Sequence, residues 1–193
     1  MKIVGILLAA GAGTRFGGGK LVHPIPPDGL PMSLVAYRRL RSALDTVIVV
    51  VRSEDAAVQQ IFEQEGASIA RCLDAQAGMG RSLAAGVRAT PDAEGWVIAL
   101  GDMPRVDPQT VRRIADALEQ GSSIAAPVHD GRRGHPVGFS ARHRQALTDL
   151  LGDQGARTVV AAHAGEVTRV IVDDPGIHAD IDTREDAEKL QAR

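Results

Sequence analysis

One cysteine, Cys72, stands among 193 residues, which leaves no internal disulfide and no cysteine cage for a metal. The six histidines lie far apart, without the short spacing of a ligand pair. A reducing cytoplasm suits that usage. No basic excess exists either: 22 Lys+Arg face 24 Asp+Glu, a formal charge of −2, and a nucleic-acid binder would carry a cationic surplus or stripe. No apolar run approaches the roughly 18 residues of a membrane-spanning helix. The start, Met1 to Ala10, has one lysine and an apolar stretch at the short limit for a leader, and reads as a buried first strand. Internal repeats, low-complexity tracts and Gly/Ser/Pro-rich linkers are also lacking, so a single domain over 1–193 is expected.

Aromatics are 3% of the chain while hydrophobic residues are 44%, so the core is expected to be aliphatic and closely layered, as under a helix-covered sheet. Ile3–Leu8, Val47–Val51 and Trp96–Leu100 are short continuous apolar runs, the pattern of strands buried on both faces. Between them Val58, Ile61 and Phe62 recur at helical spacing, as do Val111, Ile114, Ala115 and Leu118. Asp107-Pro108 opens the second of these helices as N-cap and first-turn proline, with Gly121 where it stops. Thr183 with Asp186 opens a last helix. Ile124 to Ser140 reads as two extended segments around a polar turn at Asp130–Gly134, followed by a helix from about Arg142 to Leu151. Pro24 to Pro31 reads as a stiff surface loop. Alternating strands and helices predict an α/β fold, a three-layer sandwich with a mostly parallel sheet.

Directly after the first strand comes Leu8-Ala9-Ala10-Gly11-Ala12-Gly13-Thr14-Arg15-Phe16-Gly17-Gly18-Gly19-Lys20, with five glycines and two cations. Glycines let backbone N–H groups converge on phosphate oxygens, and Arg15 and Lys20 supply countercharge. In open α/β sheets ligands gather at the carboxyl ends of strands, where this loop lies. A P-loop would need Gly at position 14 and Ser or Thr at 21, where Thr14 and Leu21 stand, and the dinucleotide fingerprint would need Gly at 16, where Phe16 stands. A loop of its own kind for a phosphate-rich ligand is left.

Asp102 follows Trp96–Leu100 and precedes Met103-Pro104, at a strand's carboxyl end facing the same crevice. That position suits a Mg²⁺ ligand; an Asp ahead of a proline-containing turn also serves as a turn cap. Asp180 and Asp182 flank Ile181 in an extended segment and on a period of two point the same way. Two such carboxylates invite a cation between them, and negative charge ahead of a helix is favourable in itself. Gly78-Met79-Gly80-Arg81-Ser82-Leu83 opens a helix of small residues, whose free N–H groups can receive part of a ligand. His135 stands beside Pro136 and serves equally as an acceptor-facing group or a hydrogen-bonded structural one. Cys72 reads as a small buried hydrophobe, and Arg38, Arg39 and Arg41 as a solvated face.

The loop Leu8-Ala9-Ala10-Gly11-x-Gly13-x-Arg15-x-Gly17 ending in Lys20 resembles the signature of nucleotidyltransferases that activate sugars and cofactors with an NTP. Gly78-Met79-Gly80-x-Ser82, Gly101-Asp102-Met103-Pro104, Gly134-His135-Pro136-Val137 and Asp180-Ile181-Asp182-Thr183 are similar, in order, to the molybdenum cofactor cytidylyltransferases, the MocA-like group of the MobA-like NTP transferase family. That resemblance implies a Rossmann-like nucleotidyltransferase fold and transfer of CMP from CTP to the terminal phosphate of a molybdopterin-type cofactor, with release of pyrophosphate and a need for Mg²⁺. It implies a nucleotide site at Leu8, Ala9, Ala10, Gly11, Gly13, Arg15, Lys20, Gly78, Gly80 and Ser82, catalytic roles for Arg15, Lys20 and Asp102, and metal ligation by Asp102 and Asp182. A molybdoenzyme or its maturation factor would receive the product. Guanylyl relatives usually carry a second glycine where Ala10 stands, which tilts the base toward cytosine. The competing expectations are transfer from GTP or another NTP to a different phosphorylated acceptor such as a sugar 1-phosphate, and a non-catalytic carrier of the cofactor.

Overall fold

The fold was obtained as a computed structural model, which describes residues 1–189. Seventeen regular elements follow in chain order: β1 (Ile3–Ala9), β2 (Pro24–Ile25), β3 (Leu30–Pro31), α1 (Met32–Ala43), β4 (Val47–Arg52), α2 (Ala56–Gln64), β5 (Ser68–Cys72), α3 (Met79–Arg88), β6 (Gly95–Leu100), α4 (Pro108–Glu119), β7 (Ile124–His129), β8 (Arg132–Arg133), β9 (Val137–Ser140), α5 (Arg144–Thr148), α6 (Arg157–Ala162), β10 (Val167–Ile171) and α7 (Arg184–Lys189). The main sheet runs β10-β7-β9-β6-β1-β4-β5, with β8 paired to β7. β1 is parallel to β4 and β6, β4 to β5 and β7 to β10, whereas β9 is antiparallel to both its neighbours.

All seven residues of β1 are buried because helices cover both faces. Leu7 and Ala9 join a core with α1, α2 and α4; Ile6 and Leu8 join another with α3, α5 and α6. Continuous apolar runs at β1, β4 and β6 are the sequence consequence of that sandwich. A methyl at Gly86 of α3 would lie 2.9 Å from both Ile6 Cγ2 and Val50 Cγ2, so the helix rides directly on the sheet. Asp107 caps α4 by accepting from Gln109 N at 2.7 Å, with Pro108 in the first turn. Thr183 and Asp186 bond each other reciprocally at the start of α7.

Two local expectations are corrected and one is extended. Pro24 to Pro31 is a small antiparallel pair, β2 with β3, and Ile25 is buried against Phe16, Met32, Ile181 and Ala187; the alternation of prolines hid one inward apolar residue. The two extended segments expected over 124–140 are β7 and β9 of the main sheet, and the turn between them also holds the short β8. The helix expected from about Arg142 to Leu151 is a 3₁₀ turn at Ala141–His143 followed by only five residues of α5. Among the described residues no helix is long and apolar enough to cross a membrane.

Candidate active site

β1, β4, β6, β7 and β10 all run the same way, so their carboxyl ends share one edge. The glycine-rich loop leaves β1 at that edge and folds back on itself. Gly13 takes φ +59, and a methyl there would stand 2.8 Å from Lys20 Cβ, so only glycine lets the loop close on the lysine. The Gly13 carbonyl accepts from the N–H groups of Phe16 at 3.0 Å and Gly18 at 3.2 Å. Phe16 is buried with Ile181 and Ala187, which draws the segment ahead of α7 beneath the loop. Ile181 N donates to the Asp102 carbonyl at 3.0 Å, and Gly101 N donates to the Leu8 carbonyl at 3.0 Å. These two bonds tie the β1, β6 and pre-α7 segments into one floor.

On that floor the Lys20 ammonium sits 2.7 Å from Asp102 Oδ2 and 2.8 Å from Asp182 Oδ1. Arg15 closes on the other oxygen of Asp182 at 2.5 Å. Burial works against the Lys20 charge, but the hydrogen bonds it donates to the two carboxylates, with their negative charge, outweigh it and hold the pKa above the ordinary lysine value. Asp102 Oδ1 is buried and has no hydrogen-bond partner among the described residues. A spare anionic oxygen of this kind is the donor that a hard divalent cation takes. No cluster of three metal-ligating side chains exists among the described residues, so a metal here would have two carboxylates at most and take its other ligands from water and phosphate, the usual Mg²⁺ pattern.

Above Lys20 opens a cleft of about 300 Å³. Leu8, Ala10, Gly11, Gly13, Gly78, Ser82 and Asp102 line it, as the sequence led one to expect, with Arg52, Gln76, Met79 and Asp153 beside them. Four expected residues stand elsewhere. Ala9 points into the opposite core. Arg15 is 77% exposed and is engaged with Asp182 instead of facing the cleft. Asp182 reaches the site through Lys20 without lining the cleft. Gly80 is buried beneath the chain, where a methyl would meet the Gly152 carbonyl oxygen at 3.0 Å. Gly78 combines both demands, with φ +115 and Gly152 C only 2.3 Å from where a methyl would be. The glycine pair thus answers to a packed backbone crossing as well as to the cleft.

Asp180, expected on the same side as Asp182, is exposed and makes no ion pair among the described residues, and its segment pairs with no strand. His135 donates its backbone N–H to the Ile177 carbonyl at 3.0 Å. Its Nδ1 is buried without a partner among the described residues. Burial lowers its pKa, against the opposing pull of the Asp102 charge. Cys72 is buried, and burial pushes its thiol up. Sequence reasoning missed Arg52, Gln76 and Asp153. Arg52 carried a signal, a cation closing a buried valine run at a strand's carboxyl end, the same signal that singled out Asp102. Gln76 and Asp153 carried none, since each is brought to the cleft by the packing of its loop.

Comparison with known proteins adds three findings. A family model described as the MobA-like NTP transferase domain matches residues 5–167. Curated relatives include the purine catabolism protein PucB of Bacillus subtilis, 30% identical over 98% of this chain and 96% of its own. Nicotine blue oxidoreductase of Paenarthrobacter nicotinovorans is 31% identical over 97% and 96%, and the molybdenum cofactor guanylyltransferase of Cupriavidus taiwanensis 29% identical over 99% and 97%. Among solved structures, Rv0371c of Mycobacterium tuberculosis superposes with a TM-score of 0.83 at 28% identity, covering 100% of this chain and 98% of that one. Rv0371c has also been solved in complex with manganese.

Proposed function

The chain belongs to the MobA-like NTP transferase family, and on that premise we propose that it transfers CMP from CTP to the terminal phosphate of a molybdopterin-type cofactor, releasing pyrophosphate. The observation that carries the reading is the Lys20 ammonium held between Asp102 and Asp182 under the Gly11–Gly13 loop. A buried cation and a spare carboxylate oxygen at the mouth of a glycine-lined cleft suit a polyphosphate and little else.

In this reading an oxygen of the acceptor phosphate attacks the α-phosphorus of CTP in line. The new O–P bond forms as the bond to the β-phosphate oxygen breaks, and pyrophosphate departs with that electron pair. The acceptor is already anionic near neutral pH, so no strong general base is needed, and rate enhancement comes from positioning and charge neutralisation. The loop N–H groups at Gly11 and Gly13 orient the phosphates. Lys20 offsets charge on the departing pyrophosphate, and Arg15, at the exposed rim, exchanges Asp182 for an outer phosphate oxygen. Gly78 and Ser82 hold the nucleoside end. Asp102, with Asp182, would hold Mg²⁺, which when bound supplies charge neutralisation at the reacting phosphates. The manganese complex of Rv0371c supports a divalent ion.

Base choice rests on Ala10, which lines the cleft and stands where guanylyl relatives usually carry a second glycine. A second reading, guanylyl transfer, is favoured by the relative of that name. The three relatives bear three different names at about the same identity, so identity by itself does not choose the acceptor. The deciding experiment is pyrophosphate release from the purified protein with Mg²⁺ and molybdopterin-type cofactor, comparing CTP, GTP and ATP. Release with CTP alone supports the proposal, release with GTP supports the second reading, and no release with any nucleotide rejects transfer to this acceptor.

A further inference from the structure

A second concavity lies on the face of the sheet at β7, β8 and β10. It has a volume of about 340 Å³ and is lined by Val128, Gly131, Arg133, Ala164, Val167 and Arg169. Register explains why its two arginines converge. Arg133 of β8 pairs with Val128 of β7, and Arg169 of β10 pairs with Ala126 of β7. Val128 and Ala126 are two apart and point to the same side of the sheet. Both guanidiniums therefore rise from that side, one on each flank of β7. Arg169 donates to the Gly131 carbonyl at 3.4 Å; Arg133 has no ion-pair or hydrogen-bond partner among the described residues. No carboxylate lines the groove. Two convergent cations without a counter-ion form a ready site for an anion.

The side of the sheet matters. Ala126 belongs to the core that contains Leu8 and Ala10, so the groove opens on the same face as the nucleotide cleft, and its Val128 and Arg133 end lies at the carboxyl end of β7. Across the sheet, β7 is two strands from β6, whose end carries Asp102. At about 4.8 Å per strand that is roughly 10 Å.

We propose that the Arg133–Arg169 groove binds a distal anionic group of the acceptor substrate whose reacting phosphate lies at Asp102. This rests on the transferase reading above. It requires an acceptor that is elongated and carries a second negative group roughly 10 Å from the first, which a compact monoanion does not offer.

The test is a titration of the full ¹⁵N-labelled chain with inorganic phosphate, followed by NMR. Saturable shifts at Gly131, Ala164 and Val167 are expected, separate from any at Gly11 and Gly13. Arg133→Gln and Arg169→Gln should each weaken the groove response roughly tenfold or more. Arg132→Gln, whose residue pairs with His129 and so belongs to the other side of β8, should leave it unchanged. All three positions are exposed, so the variants should fold. In steady-state assays the two groove variants should raise the acceptor KM about tenfold with the nucleotide KM unchanged. Shifts confined to Gly11 and Gly13, or an equal loss with Arg132→Gln, overturn the groove; an unchanged acceptor KM overturns its link to the acceptor. The titration needs no turnover, so absence of pyrophosphate release would reject the transferase reading while the groove is still judged on its own shifts.

Discussion

Two carboxylates near the carboxyl edge of the sheet invite comparison. Asp174 is buried, and both its oxygens are in use: Oδ2 accepts from Asp107 N at 2.9 Å and Thr110 Oγ1 at 2.8 Å, and Oδ1 from Gly176 N at 2.8 Å. Every partner is a neutral donor, and together they pin the start of α4 to the chain after β10. Asp102 has one oxygen on Lys20 and the other buried with no partner among the described residues. A buried acceptor left unmatched costs about 1–3 kcal/mol, a cost that persists in a fold when a ligand uses the atom. A saturated carboxylate holds the structure together, while an unsaturated one waits for something else.

The sharpest way to break this contrast is to neutralise each carboxylate in turn. Asp102→Asn should keep the fold and lower the rate of nucleotidyl transfer about 10²–10³-fold, read as pyrophosphate release at saturating Mg²⁺; an unchanged rate removes Asp102 from the chemistry. Asp174→Ala should do the reverse. It strands three donors, so the urea midpoint should fall by the equivalent of about 2–4 kcal/mol while turnover per folded molecule holds.

Smaller effects refine the comparison. Ala10→Gly should shift the CTP-to-GTP ratio of kcat/KM toward GTP by about tenfold, the scale of one methyl in a pocket; no shift would free Ala10 from base choice. A pH effect concerns a buried polar pair outside the cleft lining, where His143 Nε2 lies 2.7 Å from Ser123 Oγ. Burial, with help from His163, lowers the His143 pKa below its ordinary 6.5. A lowered histidine pKa means that the fold prefers the neutral ring. Its stabilisation is present above pH 6.5 and is lost as pH falls through the lower folded value. Urea melts at pH 7.5 and 5 should therefore show a loss of stability on acidification that His143→Gln reduces, and an identical slope in the variant would exclude His143 as a source.

Much of the frame was legible before any coordinates. Val47–Val51 had to be a two-sided strand because no solvent-facing residue interrupts it, and Asp107-Pro108 had to start a helix because cap and first-turn chemistry act within three residues. Pro24–Pro31 and Arg142–Leu151 were misread for the same reason in reverse: whether Ile25 is buried, and how soon α5 stops, depends on which distant residues pack there. At the site, Lys20 and Asp102 were identified by their places after glycines and after a strand. Arg15 was assigned to the cleft by sequence proximity, but its long side chain found Asp182 instead. Gly80 reads as a ligand contact in the sequence, and in the structure it packs against the Gly152 carbonyl, a contact that composition does not reveal.

By itself the sequence determined the layered α/β class, the three central strands, the caps of α4 and α7 and the glycine-rich, cationic first loop. Each of these follows from side-chain periodicity or from hydrogen bonds reaching only a few residues. Only the tertiary structure decided that Lys20 bridges Asp102 and Asp182, 82 and 162 positions away, that Asp180 stays out of that group, and that Arg133 and Arg169 face one groove. Such pairings are set by strand register and by loops docking on a shared edge, and no local rule reaches that far along a chain.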